Sequence, residues 1–388
     1  MTRVLIVGGG TGGTMLANAL DKRRFEVTVL SASPDHVFQP ALLYIAFAKA
    51  KPNIARSESG LLGRGVRFLQ ASATHVDLRN RVVTTSSGTR LTYDAVVLAT
   101  GIRTDPSQTP GLAQINDEVG DYHTNVSQAQ KLWRSLDAFA GGTIALGQAA
   151  PVCKCPPSPV EGMLLADRLL RRRGLREKSK LVFFTPYPRA YPAEATNDVV
   201  AAQFERCGIE TRTFFDVDRI DATARSIVSI EGETISYDLP IVIPPFIGAN
   251  IAYDPPECVD ADRFVIVDKE TLQVKGVDSA FAIGDGAGVP TSKAGVGAHL
   301  EAQVVARRLG GLPVTFDGRT NCPLDLGDGR GMFVVGSFEA PVQRYRPSRI
   351  SRMMKATMGK IYWMSLRGTL EPLFRLYFAI TKPTKPAG

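Results

Sequence analysis

Apolar and polar positions along this chain fall into alternating blocks that read as the strands and helices of an α/β protein. Arg3–Val7 is a short apolar run, glycines follow, and Met15-Leu16-Ala17-Asn18-Ala19-Leu20 then repeats at helical spacing. Glu26–Leu30 has strand character, so the N-terminal region predicts a β–turn–α–β unit. Val66–Leu69 and Arg81–Thr85 predict further strands, and Tyr93–Ala99 a buried strand running into Thr100-Gly101. Proline and polar residues cluster at Pro106–Pro110 and mark a boundary.

A second series opens with a strand at Gly142–Gly147 and a helix over Val160–Arg173. Strands at Lys180–Phe184 and Ile209–Thr213, with a helix across Asp198–Cys207 between them, lead to a last strand at Ile241–Pro244. Phe264–Val267 and Ala280–Ile283 then return to the first unit, and a hairpin around Gly331–Phe338 precedes a basic tail. The expected architecture is α/β, with two Rossmann-like dinucleotide-binding folds and a C-terminal amphipathic helical tail. The first fold is split, with residues 1–106 and 262–340 flanking a second fold at 107–261, and the tail is 341–388.

Size and charge refine this picture. With 388 residues, 44% of them hydrophobic, the chain suits two packed domains better than one core. Met1 leads straight into an apolar strand with no signal-peptide pattern, so an intracellular protein with reduced cysteines is expected. No apolar run reaches the ~18–20 residues that span a bilayer. The formal charge of +8 is uneven: residues 342–388 hold ten Arg or Lys against the single acid Glu371, leaving the remainder near neutral.

Gly8, Gly10 and Gly13 form GxGxxG between a strand and a helix, where tight turning and backbone N–H groups suit a pyrophosphate. Ala99-Thr100-Gly101 ends a second apolar strand, and Ala282-Ile283-Gly284-Asp285 ends a third. In this order the three motifs resemble the FAD-dependent pyridine nucleotide–disulfide reductase superfamily. The resemblance implies FAD as cofactor, with Asp285 at its ribitol–phosphate region. The second strand offers Ser31 where an acid usually meets the adenosine ribose.

A second glycine loop, needed to bind NADH, is missing. Gly147 runs instead into Gln148-Ala149-Ala150-Pro151-Val152-Cys153-Lys154-Cys155-Pro156-Pro157, and the prolines remove N–H donors. Cys153 and Cys155 precede a helix N-terminus, a position expected to favour thiolate. Cys207 reads as an inward-facing helical residue beside Phe204, and the histidines lack metal-ligand spacing near the cysteines, so no metal is expected.

Cys155-Pro156-Pro157-Ser158-Pro159-Val160-Glu161 and Cys322-Pro323-Leu324-Asp325-Leu326-Gly327-Asp328 resemble the two cysteine segments of sulfide:quinone oxidoreductases. Ser31-Ala32, Phe38-Gln39-Pro40, Lys293 and the tail stretch Lys360-Ile361-Tyr362-Trp363…Arg367-Gly368…Glu371-Pro372 are similar to that family as well. The resemblance implies a Cys155–Cys322 disulfide, or a sulfur-bridged equivalent, beside the flavin. Hydrosulfide opens it to one persulfide and one thiolate, with Cys322 the cysteine facing the flavin and a membrane quinone the final acceptor. Glu161 is either a proton carrier or a helix N-terminal charge. Two departures stand out. Gly120-Asp121-Tyr122-His123-Thr124-Asn125 lacks the family's third cysteine, and Thr185-Pro186-Tyr187-Pro188-Arg189-Ala190 lacks its histidine. Cys153 is a candidate for the missing sulfur.

Arg349–Ala379 mixes apolar residues at helical spacing with Trp363, Tyr362 and cations, as an interfacial helix pair separated by Gly368 and Pro372 would. The expected placement is peripheral, on the cytoplasmic side of a membrane, with no nucleic-acid partner and homo-oligomerisation left open. On this reading the tail is dispensable for reaction with sulfide. Alternatives are a type II NADH:quinone oxidoreductase, and a flavin-bound redox sensor or interaction protein.

Overall fold

Strands whose consecutive residues are all apolar must be covered on both faces, and that requirement organises the molecule. In the computed structural model, which describes residues 1–344 and 346–380, Val4–Val7 and Ala95–Leu98 are buried throughout. They lie at the centre of a five-stranded parallel sheet in the order Ala280–Ala282, Ala95–Leu98, Thr2–Val7, Phe25–Ser31, Val66–Gln70. The sheet thus joins strands from both ends of the sequence. Helix Thr11–Ala19 connects its first two strands and packs beside helix Gly295–Leu309.

A second parallel sheet has the order Ile209–Arg212, Ser179–Phe184, Gly142–Gln148, Leu239–Ile243. Helices Ser158–Arg172 and Glu194–Cys207 link its strands. Each sheet has its own hydrophobic core, one centred on Ile6, Leu16 and Val97, the other on Leu146, Met163 and Phe183.

The structure departs from the sequence expectation in several places. Phe264–Val267 makes only isolated bridges, through Val265 and Val267, instead of a strand. Thr320–Asp325 is a strand paired antiparallel with Gly331–Gly336, which puts Cys322 opposite Val334. The tail forms helices Arg349–Leu366 and Glu371–Ile380. Gly368, at φ +72°, makes the turn between them, whereas Pro372 lies inside the first turn of the second helix. Its missing N–H is harmless there. Of the tail cations, Lys382 and Lys385 lie outside the described residues.

Candidate active site

The glycine loop has the shape a dinucleotide requires. Gly8 sits at φ +118°, and a Cβ there would lie 2.1 Å from the Ala99 carbonyl oxygen; one on Gly13 would lie 2.0 Å from the Gly8 carbonyl oxygen. Both glycines are therefore fixed by the strand and helix closing on the loop. A Cβ on Gly10 would meet nothing within 4 Å, so that face is open at the N-terminus of helix Thr11–Ala19, where phosphate oxygens can be met by N–H groups. Thr100 and Gly101 adjoin the Asp285 turn, since a Cβ on Gly286 would lie 2.7 Å from the Gly101 carbonyl oxygen. These residues fit FAD: Gly8, Gly10 and Gly13 would meet its pyrophosphate, and Asp285 would lie further along it.

Asp285 follows Gly284, whose N–H donates to Glu301 at 2.5 Å. Burial pushes the Asp285 carboxyl above its ordinary value, opposed by Lys154 and Lys293. The Lys293 ammonium donates to the Ala287 carbonyl, and its backbone carbonyl accepts from Cys155 N at 2.8 Å. Lys154 donates to the Gln39 side chain, next to Pro40. The cysteine loop is thereby stitched to both halves of the first sheet's unit.

No acid follows the second strand, yet one arrives there from elsewhere. A Cβ on Gly9 would lie 3.0 Å from the Glu58 side chain and 3.1 Å from that of Ser31. The fully buried Glu58 carboxylate accepts from Thr14 Oγ1 at 2.5 Å and lies 2.8 Å from His36 Nδ1. His36 Nε2 is 2.5 Å from the Tyr362 hydroxyl, which is also 2.7 Å from Thr11 Oγ1. A tail residue thus closes a buried polar chain that reaches the glycine-loop helix. Every member has a partner, as a buried network must.

Cys155 and Cys322, far apart in sequence, are tied to adjacent residues: Cys155 N donates to the Lys293 carbonyl at 2.8 Å, and Cys322 Sγ lies 3.4 Å from Ser292 Oγ. Cys155 adopts φ +60° just before helix Ser158–Arg172, and Cys322 is buried on its strand. All five cysteines are unbridged. The helix N-terminus does not prevail at Cys155: burial pushes its thiol well above the ordinary value, with Cys322 the largest charged influence after burial. Burial also raises Cys322, while Ser292 Oγ at 3.4 Å and Thr320 Oγ1 at 3.5 Å pull it back. Cys153 is pushed up to about 12 by burial. Cys207, at the end of its helix, is only half-buried and 3.7 Å from Gln203 Nε2. A cavity of about 840 Å³ is lined by Cys322, Cys153, Ser292, Tyr187, Tyr191 and Phe338.

Glu161 lies in the first turn of its helix, but it is fully buried and serves more than the dipole. Its carboxylate accepts from Asp325 N at 2.5 Å and from the ammonium of Lys355, which also donates to the Pro323 carbonyl at 3.0 Å. Burial raises the Glu161 carboxyl against the pull of Lys355. Burial would lower Lys355, but Glu161, Tyr44 and Cys155 together hold it above its ordinary value. The sequence reading counted Lys355 among the membrane cations; its place is beside the cysteines.

Helix Arg349–Leu366 therefore contacts the candidate site through Lys355 and Tyr362, where the sequence predicted a tail apart from it. Leu366 is fully buried, Asn18 Nδ2 donates to its carbonyl at 2.7 Å, and Phe38 lies 4.7 Å from the Tyr362 ring. The outer positions differ: Ile350 and Met353 are more than 60% exposed, and Leu373 and Leu376 nearly as much. Among the described residues no helix is long and apolar enough to cross a membrane.

Mouse mitochondrial sulfide:quinone oxidoreductase is 27% identical over 94% of this chain and 86% of its own length. The Dictyostelium discoideum mitochondrial protein of the same name is 25% identical over 84% of this chain and 75% of its own. The crystal structure of the Aquifex aeolicus sulfide:quinone oxidoreductase superposes with a TM-score of 0.84 at 20% identity, covering 100% of this chain and 96% of that one, which establishes the shared fold. The family described as pyridine nucleotide-disulphide oxidoreductase matches residues 2–310. The chain belongs to the pyridine nucleotide-disulphide oxidoreductase family and is an FAD-dependent oxidoreductase.

Proposed function

We propose that this enzyme is a sulfide:quinone oxidoreductase, in which Cys155 and Cys322 oxidise sulfide. The observation that carries the proposal is that Cys155, on a loop lacking the glycines a nicotinamide dinucleotide would need, bonds to Lys293, while Cys322, which lines the cavity, bonds to the adjacent Ser292. Hydrosulfide attacks the oxidised pair; one S–S bond breaks, one forms, and the products are a persulfide on one cysteine and a thiolate on the other. FAD, when bound, supplies the two-electron chemistry that links this oxidation to reduction of a quinone. Gly8, Gly10, Gly13, Ser31, Pro40, Thr100, Gly101, Gly284, Asp285 and Lys293 would hold it. Ser292 and Thr320 steady a Cys322 thiolate by hydrogen bonding, and the Glu161–Lys355 pair holds a transferable proton next to the cysteines.

On this reading residues 1–106 with 262–340 form the FAD unit and 107–261 the cysteine unit. The exposed apolar residues Ile350, Met353, Leu373 and Leu376, with Arg349 and Lys360 among them, rest on the cytoplasmic surface of a membrane and give access to its quinone. Anaerobic mixing of the FAD-loaded enzyme with sulfide, and separately with NADH, tests the assignment through flavin absorbance. Rapid bleaching by sulfide and none by NADH is expected; the reverse would make the protein an NADH dehydrogenase.

A further inference from the structure

A pocket of about 390 Å³ opens between helix Thr11–Ala19, helix Gly295–Leu309 and the turn joining the two C-terminal helices. Three guanidinium groups line it, Arg307, Arg367 and Arg375, with one carboxylate, Glu371. That carboxylate is already engaged: it accepts from Arg375 Nε at 3.2 Å and lies 3.1 Å from His299 Nε2. Arg367 anchors one nitrogen on the Gly60 carbonyl at 2.8 Å. Arg307 is exposed and has no hydrogen-bond or ion-pair partner among the described residues. The pocket is left with a cationic excess and unspent N–H donors, arranged around a turn where Gly368 leaves open space.

The surroundings select the ligand. Met364, Leu373 and Leu376, neighbours of the lining residues on the same two helices, are 49%, 60% and 58% exposed. A site for a free anion needs no apolar rim, and arginines gathered into one pocket do not track a nucleic-acid backbone. We propose that this pocket binds the phosphate-bearing headgroup of an anionic phospholipid, whose acyl chains run along Met364, Leu373 and Leu376. The inference rests on the peripheral membrane placement proposed above. It adds that the second C-terminal helix docks on a particular lipid chemistry at a built site.

The test uses the full-length, FAD-loaded protein in flotation with vesicles of phosphatidylcholine alone and of phosphatidylcholine with phosphatidylglycerol. The double variant Arg307→Gln/Arg375→Gln is compared with Arg134→Gln/Arg172→Gln, which removes the same charge from exposed positions on the second sheet's unit. Phosphatidylglycerol is expected to strengthen wild-type binding, and the pocket variant to lose roughly fivefold of that gain for each guanidinium removed. Its binding to phosphatidylcholine and its sulfide-driven flavin reduction should persist, as should the control variant's preference for the anionic vesicle. A pocket variant that keeps the full preference, or a control that loses as much, overturns the site. Displacement from anionic vesicles by millimolar inorganic phosphate, but not by chloride of equal ionic strength, would make it a free-anion site instead. Absence of binding to either vesicle would fail the membrane placement itself, whereas equal binding to both would fail the headgroup site alone.

Discussion

Lys355 donates its ammonium to the carboxylate of Glu161, so the first C-terminal helix reaches into the second sheet's unit beside the cysteine pair. Glu161 is 1% and Lys355 11% exposed at the side chain, which makes this a buried ion pair. Removing one partner of such a pair strands the other, at a cost of about 3–5 kcal/mol. Lys355→Met should therefore lower thermal stability markedly, and Lys355→Met/Glu161→Gln should recover most of it. The rate of flavin reduction by sulfide should stay depressed in both, by roughly a hundredfold, within the general acid–base range. Recovery of rate together with stability in the double variant would reduce the pair to a structural tie.

Truncation should distinguish the two C-terminal helices. A chain ending before Ser348 loses Lys355, Tyr362 and Leu366 together, which leaves Glu161 without its cation and His36 Nε2 without the Tyr362 hydroxyl, and uncovers the core near Leu16. Such a chain should retain little FAD and show no sulfide-driven bleaching. A chain ending after Gly368 keeps all three residues and loses the His299–Glu371 contact and the exposed Leu373 and Leu376. It should still bleach with sulfide near the full-length rate while binding vesicles weakly. Equal behaviour of the two truncations in the stopped-flow trace would argue against the division drawn here.

Cysteine replacements address the chemistry directly. Cys155→Ser and Cys322→Ser should each retain FAD, since neither residue belongs to the glycine loop or the Asp285 turn, yet show no rapid flavin reduction by sulfide. Cys207→Ser should behave as wild type, because Cys207 lies half-buried at the end of its helix, where its sulfur meets Gln203 and Asp167 and neither of the paired cysteines. If Cys322→Ser bleached at the wild-type rate, electrons would be leaving sulfide by another route.

How far the sequence could be read depends on whether a feature is local. Parallel strands such as Val4–Val7 and Ala95–Leu98 announce themselves because burial on both faces leaves no polar position. Helix Leu42–Ala48 is apolar throughout and too short to show a period, and Gly295–Leu309 opens with two glycines that mask its pattern. Strand Thr320–Asp325 buries Asn321 and Asp325, so it does not read as a strand at all. The cysteine segments were legible through resemblance, but the ease of forming thiolate at Cys155 was not. A helix N-terminus is a local feature, whereas the burial that outweighs it is tertiary. Lys355 is the clearest case: among ten tail cations, nothing in the sequence marks the one that turns inward to Glu161.

Glu301 should give the enzyme an unusual pH dependence of stability. Its side chain is 3% exposed, and burial, with Asp285 adding to it, pushes the carboxyl up to about 7 from an ordinary 4.5, against the pull of Gly284 N–H and Lys293. The folded chain therefore keeps a proton that the unfolded chain releases near pH 4.5. Between about 4.5 and 7 the native state binds more protons, so this group's contribution to stability falls as pH rises through that window, opposite to the usual salt-bridged carboxylate. The full effect is on the order of 3 kcal/mol, from the size of the shift. Glu301→Gln keeps an acceptor for Gly284 and abolishes the titration. Thermal melts of the FAD-loaded wild type and variant across this range should show the wild type losing ground to the variant as pH rises. Parallel curves for the two proteins would mean that Glu301 stays ionised in the folded state, held so by Lys293 and the Gly284 N–H.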